Sequence, residues 1–130
     1  MDGFFAELRV RYAETDQMGF AYYSNYLVWF EIARTDYFRH KGMDYNQIEK
    51  EKKIFLPVTE SFCKYIAPVR YDDLIRIYVK LAEQEAFKLK FEYEIINGTK
   101  LCTVGHTKHV FINTSLKPIR IPDDIKIKLA

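Results

Sequence analysis

A chain of 130 residues carrying 20 basic and 18 acidic side chains, for a net charge of +2, is the size of one domain and can bury about two thirds of the surface its unfolded form exposes. Ten Phe, ten Tyr and one Trp against four Pro and five Gly argue for a packed core rather than disorder. The even mixing of charge excludes the one-sided basic footprint of a nucleic-acid binder, while leaving room for a small anionic ligand. No basic segment leads into an apolar run at the N-terminus and no stretch of about 18 apolar residues occurs, so a cytoplasmic protein is expected. Cys63 and Cys102 stand far apart and outside any C-x-x-C pair, and are expected as buried free thiols rather than a disulfide or zinc site.

Residues 7–13 alternate, with Leu8, Val10 and Tyr12 on one side and Glu7, Arg9 and Arg11 on the other, the period-two pattern of a half-buried strand. The alternation breaks over residues 13–23, where Asp16-Gln17-Met18-Gly19 puts Asp and Gly at the first and last positions of a type I turn. Ser24 is placed to N-cap a helix running to about Lys41, with Gly42 as its C-cap. Tyr26, Trp29, Phe30, Ala33 and Tyr37 form a stripe at helical spacing, and Leu27, Val28 and Ile32 spread apolar surface beyond it, so the helix is expected to be enclosed on several sides. Its first acid is Glu31 and its far end carries Arg39, His40 and Lys41. The basic end suits the negative pole of the helix dipole, and the N-terminal amides are left free for an incoming oxygen.

A polar second helix is expected over residues 44–52, then β structure over residues 54–66, 74–83, 87–96 and 100–113, with Asn97-Gly98 as a tight hairpin. Phe87, Leu89, Phe91, Tyr93 and Ile95 alternate with Lys88, Lys90, Glu92 and Glu94, which buries one sheet face and wets the other. The tail from Leu116, with Pro118 and Pro122, reads as an extended end. This order gives an α+β fold in which one sheet wraps a single long helix, and its sheet edges predict pairing across a two-fold axis.

Asp16-x-x-Gly19, Tyr23-Ser24-Asn25-Tyr26 and Phe30-Glu31-x-Ala33-Arg34 are followed by Tyr65-x-Ala67-Pro68 with Asp72-Asp73 ahead of a strand. Together they resemble the hotdog-fold acyl-CoA thioesterases of the 4-hydroxybenzoyl-CoA thioesterase type, over about residues 9–122, and the later motif resembles the branch found with the Tol-Pal system. The resemblance implies one hotdog thioesterase domain over residues 1–130, its antiparallel sheet wrapped around a long central helix. It also implies hydrolysis of an acyl-CoA to a free acid and coenzyme A, without a metal or further cofactor. Asp16 matches the family's catalytic carboxylate, and the backbone N–H of Tyr23 matches the donor to the thioester carbonyl. Many relatives carry His at the position of Tyr23. Because the contact is a backbone one, this departure bears on substrate choice more than on mechanism. The resemblance further implies a homodimer or homotetramer, and the Tol-Pal branch a membrane-associated protein partner, to which nothing in the composition points.

Each candidate has a plainer reading. An Asp heading such a turn often accepts an N–H of its own loop, and the residues alone favour that role over catalysis; the resemblance reverses the balance. Gly19, Tyr22 and Tyr26 are read as substrate-binding, with aromatic packing an equal account of the tyrosines. Lys88 and Lys90, on the wet face of a strand, are candidates near a subunit junction for the cationic rim that coenzyme A phosphates need, against the simpler reading of solvated sheet surface. Lys64 and Arg70 are no better supported. Glu31 is read as pairing with Arg34 one turn on. His106 and His109 face opposite sides of one strand and make no metal set with His40. Two other functions are weighed beside hydrolysis: a dehydratase or hydratase on an acyl thioester, and a non-catalytic acyl-CoA-binding or interaction module.

Overall fold

The computed structural model describes residues 3–130. Its order is β1 (Phe5–Arg9), a 3-10 turn (Tyr12–Glu14), α1 (Asn25–His40), α2 (Tyr45–Gln47) widening into π turns at Ile48–Lys52, β2 (Val58–Tyr65), β3 (Leu74–Gln84), β4 (Lys88–Asn97), β5 (Lys100–Val110) and α3 (Asp123–Leu129). The strands form one sheet in the order β1-β3-β4-β5-β2, antiparallel at each pairing. This is the α+β arrangement expected, with β1 and β2 at its edges.

The alternation in β4 sets the register of the sheet. Leu89, Phe91, Tyr93 and Ile95 turn inward and are essentially fully buried, opposite buried Thr103, Thr107 and His109 of β5. Onto that face α1 packs Tyr26, Trp29, Phe30, Ala33, Tyr37 and Phe38. Phe30 stacks on Tyr93 at 4.2 Å between ring centres and 7° between planes. It reaches that depth because β5 carries Gly105 there: a Cβ on that residue would lie 2.6 Å from both the Phe30 ring and the Phe62 carbonyl oxygen.

Several expectations are corrected. The strand expected over residues 7–13 lies earlier, and Tyr12 is in the 3-10 turn with 77 % of its surface exposed. Its pattern continued the alternation, but the turn is pinned by Arg11 and Glu14 instead. Ser24 makes no side-chain cap bond and is itself helical in backbone, because the turn begins earlier, with Asn25 N–H on the Tyr22 carbonyl. Gly42 does end α1, at φ +81° with its N–H on Arg39. Phe87 precedes β4 and is 40 % exposed, under the Arg120 guanidinium. The tail is not extended throughout: Ile125 and Leu129, one turn apart, are buried, which gives α3 the apolar side a short helix needs.

The enclosure expected of α1 is incomplete. Leu27, Val28 and Ile32 remain 41 %, 48 % and 40 % exposed, on a face that the sheet does not cover. Arg34 does not pair with Glu31; it turns inward and its Nη1 donates to the Tyr93 hydroxyl at 3.1 Å, where a half-buried guanidinium finds a fixed acceptor.

Candidate active site

The Asp16 turn is closed from within. Gly19 N–H bonds the Asp16 carbonyl at 3.0 Å and Asp16 N–H the Phe20 carbonyl at 2.8 Å, and Gly19 has φ +77°, a backbone region that a side chain would strain. One carboxylate oxygen of Asp16, Oδ1, accepts from Met18 N–H at 2.9 Å and Phe20 N–H at 3.2 Å. The plain loop-holding role therefore exists, but it occupies one oxygen. Oδ2 has no bonded partner among the described residues.

The turn is carried to the N-terminus of α1 by its flanks. Ala21 N–H bonds the Val69 carbonyl at 2.7 Å, Tyr71 N–H the Gly19 carbonyl at 3.3 Å, and Tyr22 N–H the Glu14 carbonyl at 2.8 Å. At the helix start, the Asn25 and Tyr26 amides are used by the carbonyls of Tyr22 and Tyr23, whereas those of Tyr23 and Ser24 meet no acceptor among the described residues. Two unengaged N–H groups thus stand at the positive pole of a helix with no acid in its first turn.

A cavity of about 390 Å³ opens at this junction. Asp16, Tyr22, Tyr23 and Tyr26 line one side, and Tyr65, Ile66, Ala67 and Pro68 the other, so the two sequence motifs meet across one space. Tyr65 touches Tyr26 edge-on at 4.8 Å, and its hydroxyl donates to the Tyr23 carbonyl at 3.3 Å. Burial pushes the Tyr26 hydroxyl up to about 12 and also raises that of Tyr65, while Tyr22 is raised mainly by its hydrogen bond with Tyr23. These three hydroxyls stay protonated at ordinary pH and are not bases.

Of the residues singled out in the sequence, Asp16, Tyr22, Tyr23 and Tyr26 come together here, with Gly19 shaping the turn behind them. Lys88 and Lys90 do not join them. They line a separate cavity of about 370 Å³ with Thr59, Glu83, Glu85 and Lys108, at the Val58 end of β2, whereas Tyr65 marks the other end. Eight residues of strand separate the two by roughly 23 Å. Lys90 also has carboxylates of Glu83 and Glu92 within 4.0 Å. His106 bonds Glu60 on the outer face while His109 is buried on the inner one, as their spacing indicated. No group of three or more metal-ligating side chains occurs among the described residues.

Two side chains at this junction escaped the sequence reading. The hydroxyl of Tyr65 was one. The other is Glu14, 7 % exposed, whose Oε1 accepts from the Arg11 amide at 2.8 Å and Oε2 from the Trp29 indole at 2.9 Å. Burial raises its pKa, but these donors and the Arg11 guanidinium outweigh burial and hold the carboxyl below the usual value. A signal was present: Glu14 stands three residues beyond Arg11, the spacing of a capping acid.

An antiparallel sheet packed on one long helix, with a carboxylate-bearing turn delivered to that helix's N-terminus, is the arrangement that the resemblance to hotdog-fold thioesterases implied. Residues 10–129 match the family described as the Thioesterase-like superfamily, and the chain belongs to it. It is 35 % identical over 116 residues to the putative acyl-CoA thioesterase YneP of Bacillus subtilis (strain 168), covering 88 % of this chain and 83 % of that protein. Against the acyl-CoA thioesterase YbgC of Haemophilus influenzae it is 26 % identical over 126 residues, 96 % of this chain and 93 % of the relative. Among solved structures, the DHNA-CoA thioesterase of Staphylococcus aureus superposes with a TM-score of 0.89 at 34 % identity, covering 96 % of this chain and 89 % of that one.

Proposed function

We propose that this thioester hydrolase cleaves an acyl-CoA to a free carboxylic acid and coenzyme A, with Asp16 as the reacting carboxylate and the Tyr23 amide as donor to the thioester carbonyl oxygen. The observation that carries this reading is the shared cavity in which Asp16 and Tyr23 lie, with one Asp16 oxygen committed to the turn and the other unbonded. As the carbonyl is attacked, charge moves onto its oxygen. A fixed N–H at a helix N-terminus is worth about 10² to 10³ in rate at that point. The spare Asp16 oxygen either attacks the carbonyl and expels the coenzyme A thiolate, forming a mixed anhydride that water then opens to the acid, or removes a proton from a water that attacks the carbonyl and displaces the same thiolate, which leaves as the thiol. Neither route needs a metal or a further cofactor. A hydratase reading loses support because no histidine lines this cavity, and a pure binding module would have no use for a spare carboxylate oxygen beside free amides.

The test is thiol release from a panel of short, long and aromatic acyl-CoAs. Asp16→Asn, which keeps shape and removes charge, is expected to fold normally and lose at least about 10² in kcat. Near-parental turnover in that variant sinks the assignment.

The acting unit in this reading is a dimer, each protomer contributing one domain, in the cytoplasm. No helix among the described residues is long and apolar enough to cross a membrane. Support for pairing comes from β2, an edge strand whose central run Glu60-Ser61-Phe62-Cys63-Lys64 is complementary to itself when laid antiparallel. Phe62 then meets its own copy and each Glu60 faces a Lys64. The exposed Leu27, Val28 and Ile32 face of α1 supplies apolar surface that such a pairing would cover. The pairing also brings the lysine cavity of one protomer toward the Asp16 cavity of its partner, where Lys88 and Lys90 would meet the coenzyme A phosphates. Light scattering on Phe62→Asp checks this: a shift from dimer to monomer is expected, and an unchanged mass refutes pairing through β2.

A further inference from the structure

Glu14 is a buried carboxylate outside the cavity that holds Asp16, and all three of its oxygens are engaged. Its side chain takes the Arg11 amide and the Trp29 indole. Its main-chain carbonyl takes Tyr22 N–H at 2.8 Å and Asn25 Nδ2 at 2.8 Å. Stability alone is a poor account of such a group, since buried charged groups are often replaced by apolar ones without loss.

What the four bonds hold in place is informative. Tyr22 is fixed at both backbone groups, its N–H by Glu14 and its C=O by Asn25 N–H at 3.0 Å. The next N–H along the chain is that of Tyr23, so it is the open end of a peptide locked on its other side. Two residues past Glu14 the chain enters the Asp16 turn. Trp29, fully buried and against Tyr26 at 4.9 Å between ring centres, anchors the arrangement to the first turns of α1. We propose that Glu14 is a positioning residue: it sets the separation between the Tyr23 amide and the Asp16 carboxylate by gripping α1 with its side chain and the Tyr22 and Asn25 groups with its main chain. This rests on the reading of Asp16 and Tyr23 as the reacting pair.

Glu14→Gln keeps the shape but turns a donor NH₂ toward one of two N–H groups that need an acceptor, which forces the turn and the helix apart. A misplacement of about 1 Å costs on the order of 10² in rate. Expected for the full chain is a fall in kcat of about tenfold to 10²-fold with KM within about threefold, measured on the acyl-CoA of the panel that the parent cleaves fastest. Asn25→Ala, at a half-buried position, removes one of the two bonds of the main-chain grip and leaves the Tyr22 N–H bond, and it serves if Glu14→Gln fails to fold; its kcat is expected to fall by roughly tenfold. A second readout needs no turnover. The protein has one Trp and so one indole N–H resonance, and in Glu14→Gln this signal is expected to move together with the amide resonances of Tyr23 and Asp16. A kcat within twofold of the parent in a folded variant overturns the proposal, as does a shift confined to Trp29 and Arg11. Failure of the underlying site reading is a different result, full activity in Asp16→Asn.

Discussion

The middle of α1 and its N-terminus meet the rest of the molecule under opposite conditions. Where Phe30 crosses β5 the packing is closed: the ring lies on Gly105 and Tyr93, neighbouring polar groups answer one another along Arg34, Tyr93, Thr107 and His109, and the one buried side-chain polar group without a partner among the described residues is the Thr103 hydroxyl. At the N-terminus capacity is left over, as two amides without acceptors and one carboxylate oxygen without a donor around an open cavity. The difference separates closed packing, which sets where the helix sits, from an open junction whose unspent hydrogen-bonding capacity is what the proposed chemistry would use. Changes in the first region should cost stability and spare kcat; changes in the second should do the reverse.

Gly105→Ala is the strongest way to break that contrast. The added methyl would lie 2.6 Å from a backbone oxygen and from the Phe30 ring. The backbone cannot yield as a flexible side chain can, so overpacking is expected to cost about 3 kcal/mol. Urea unfolding should show the midpoint falling, while kcat per folded molecule stays near that of the parent. A large fall in kcat with an unchanged midpoint would mean that the helix middle and the site are one mechanical unit.

Much of this was readable in the residues, for identifiable reasons. The period of two in β4 gave the buried face because a strand lying on a helix has one wet side. Gly42 announced the end of α1 because few other residues adopt its positive φ. The Asp16 turn was readable as a turn, though not as a carboxylate with one oxygen spare, since that depends on which amides the fold brings to Oδ1. Ser24 misled because residue type suggests a cap, while the true start of the helix is decided by Tyr22 and by Glu14, eight residues back along the chain. Lys88 and Lys90 show a related limit: alternation placed them on the wet face, but only the strand order β4-β5-β2 puts them at the far end of β2 from the Asp16 cavity of the same chain. Pairings distant in sequence carry no local signature, so the site's partners were less visible than its loop.

The remaining prediction sharpens the comparison through pH. His109 is 1 % exposed, with Nδ1 at 3.2 Å from the Leu56 carbonyl and Nε2 at 2.8 Å from the Thr107 hydroxyl. Burial lowers its pKa to about 4, the Arg34 charge adds to this, and the Leu56 carbonyl opposes it. The unfolded chain takes up this proton near pH 6.5 while the folded one does so only near 4, so between these values the unfolded state binds more protons and stability falls as pH falls. Between pH 7 and pH 4.5 the unfolding free energy is expected to drop by about 2 kcal/mol on this account. His109→Asn, which does not titrate, should flatten that window even if it lowers stability at every pH. Urea titrations at the two pH values decide the matter. An undiminished slope in the variant would assign the pH dependence to carboxylates and remove His109, and with it the closed helix middle, as the acid-sensitive part of the molecule.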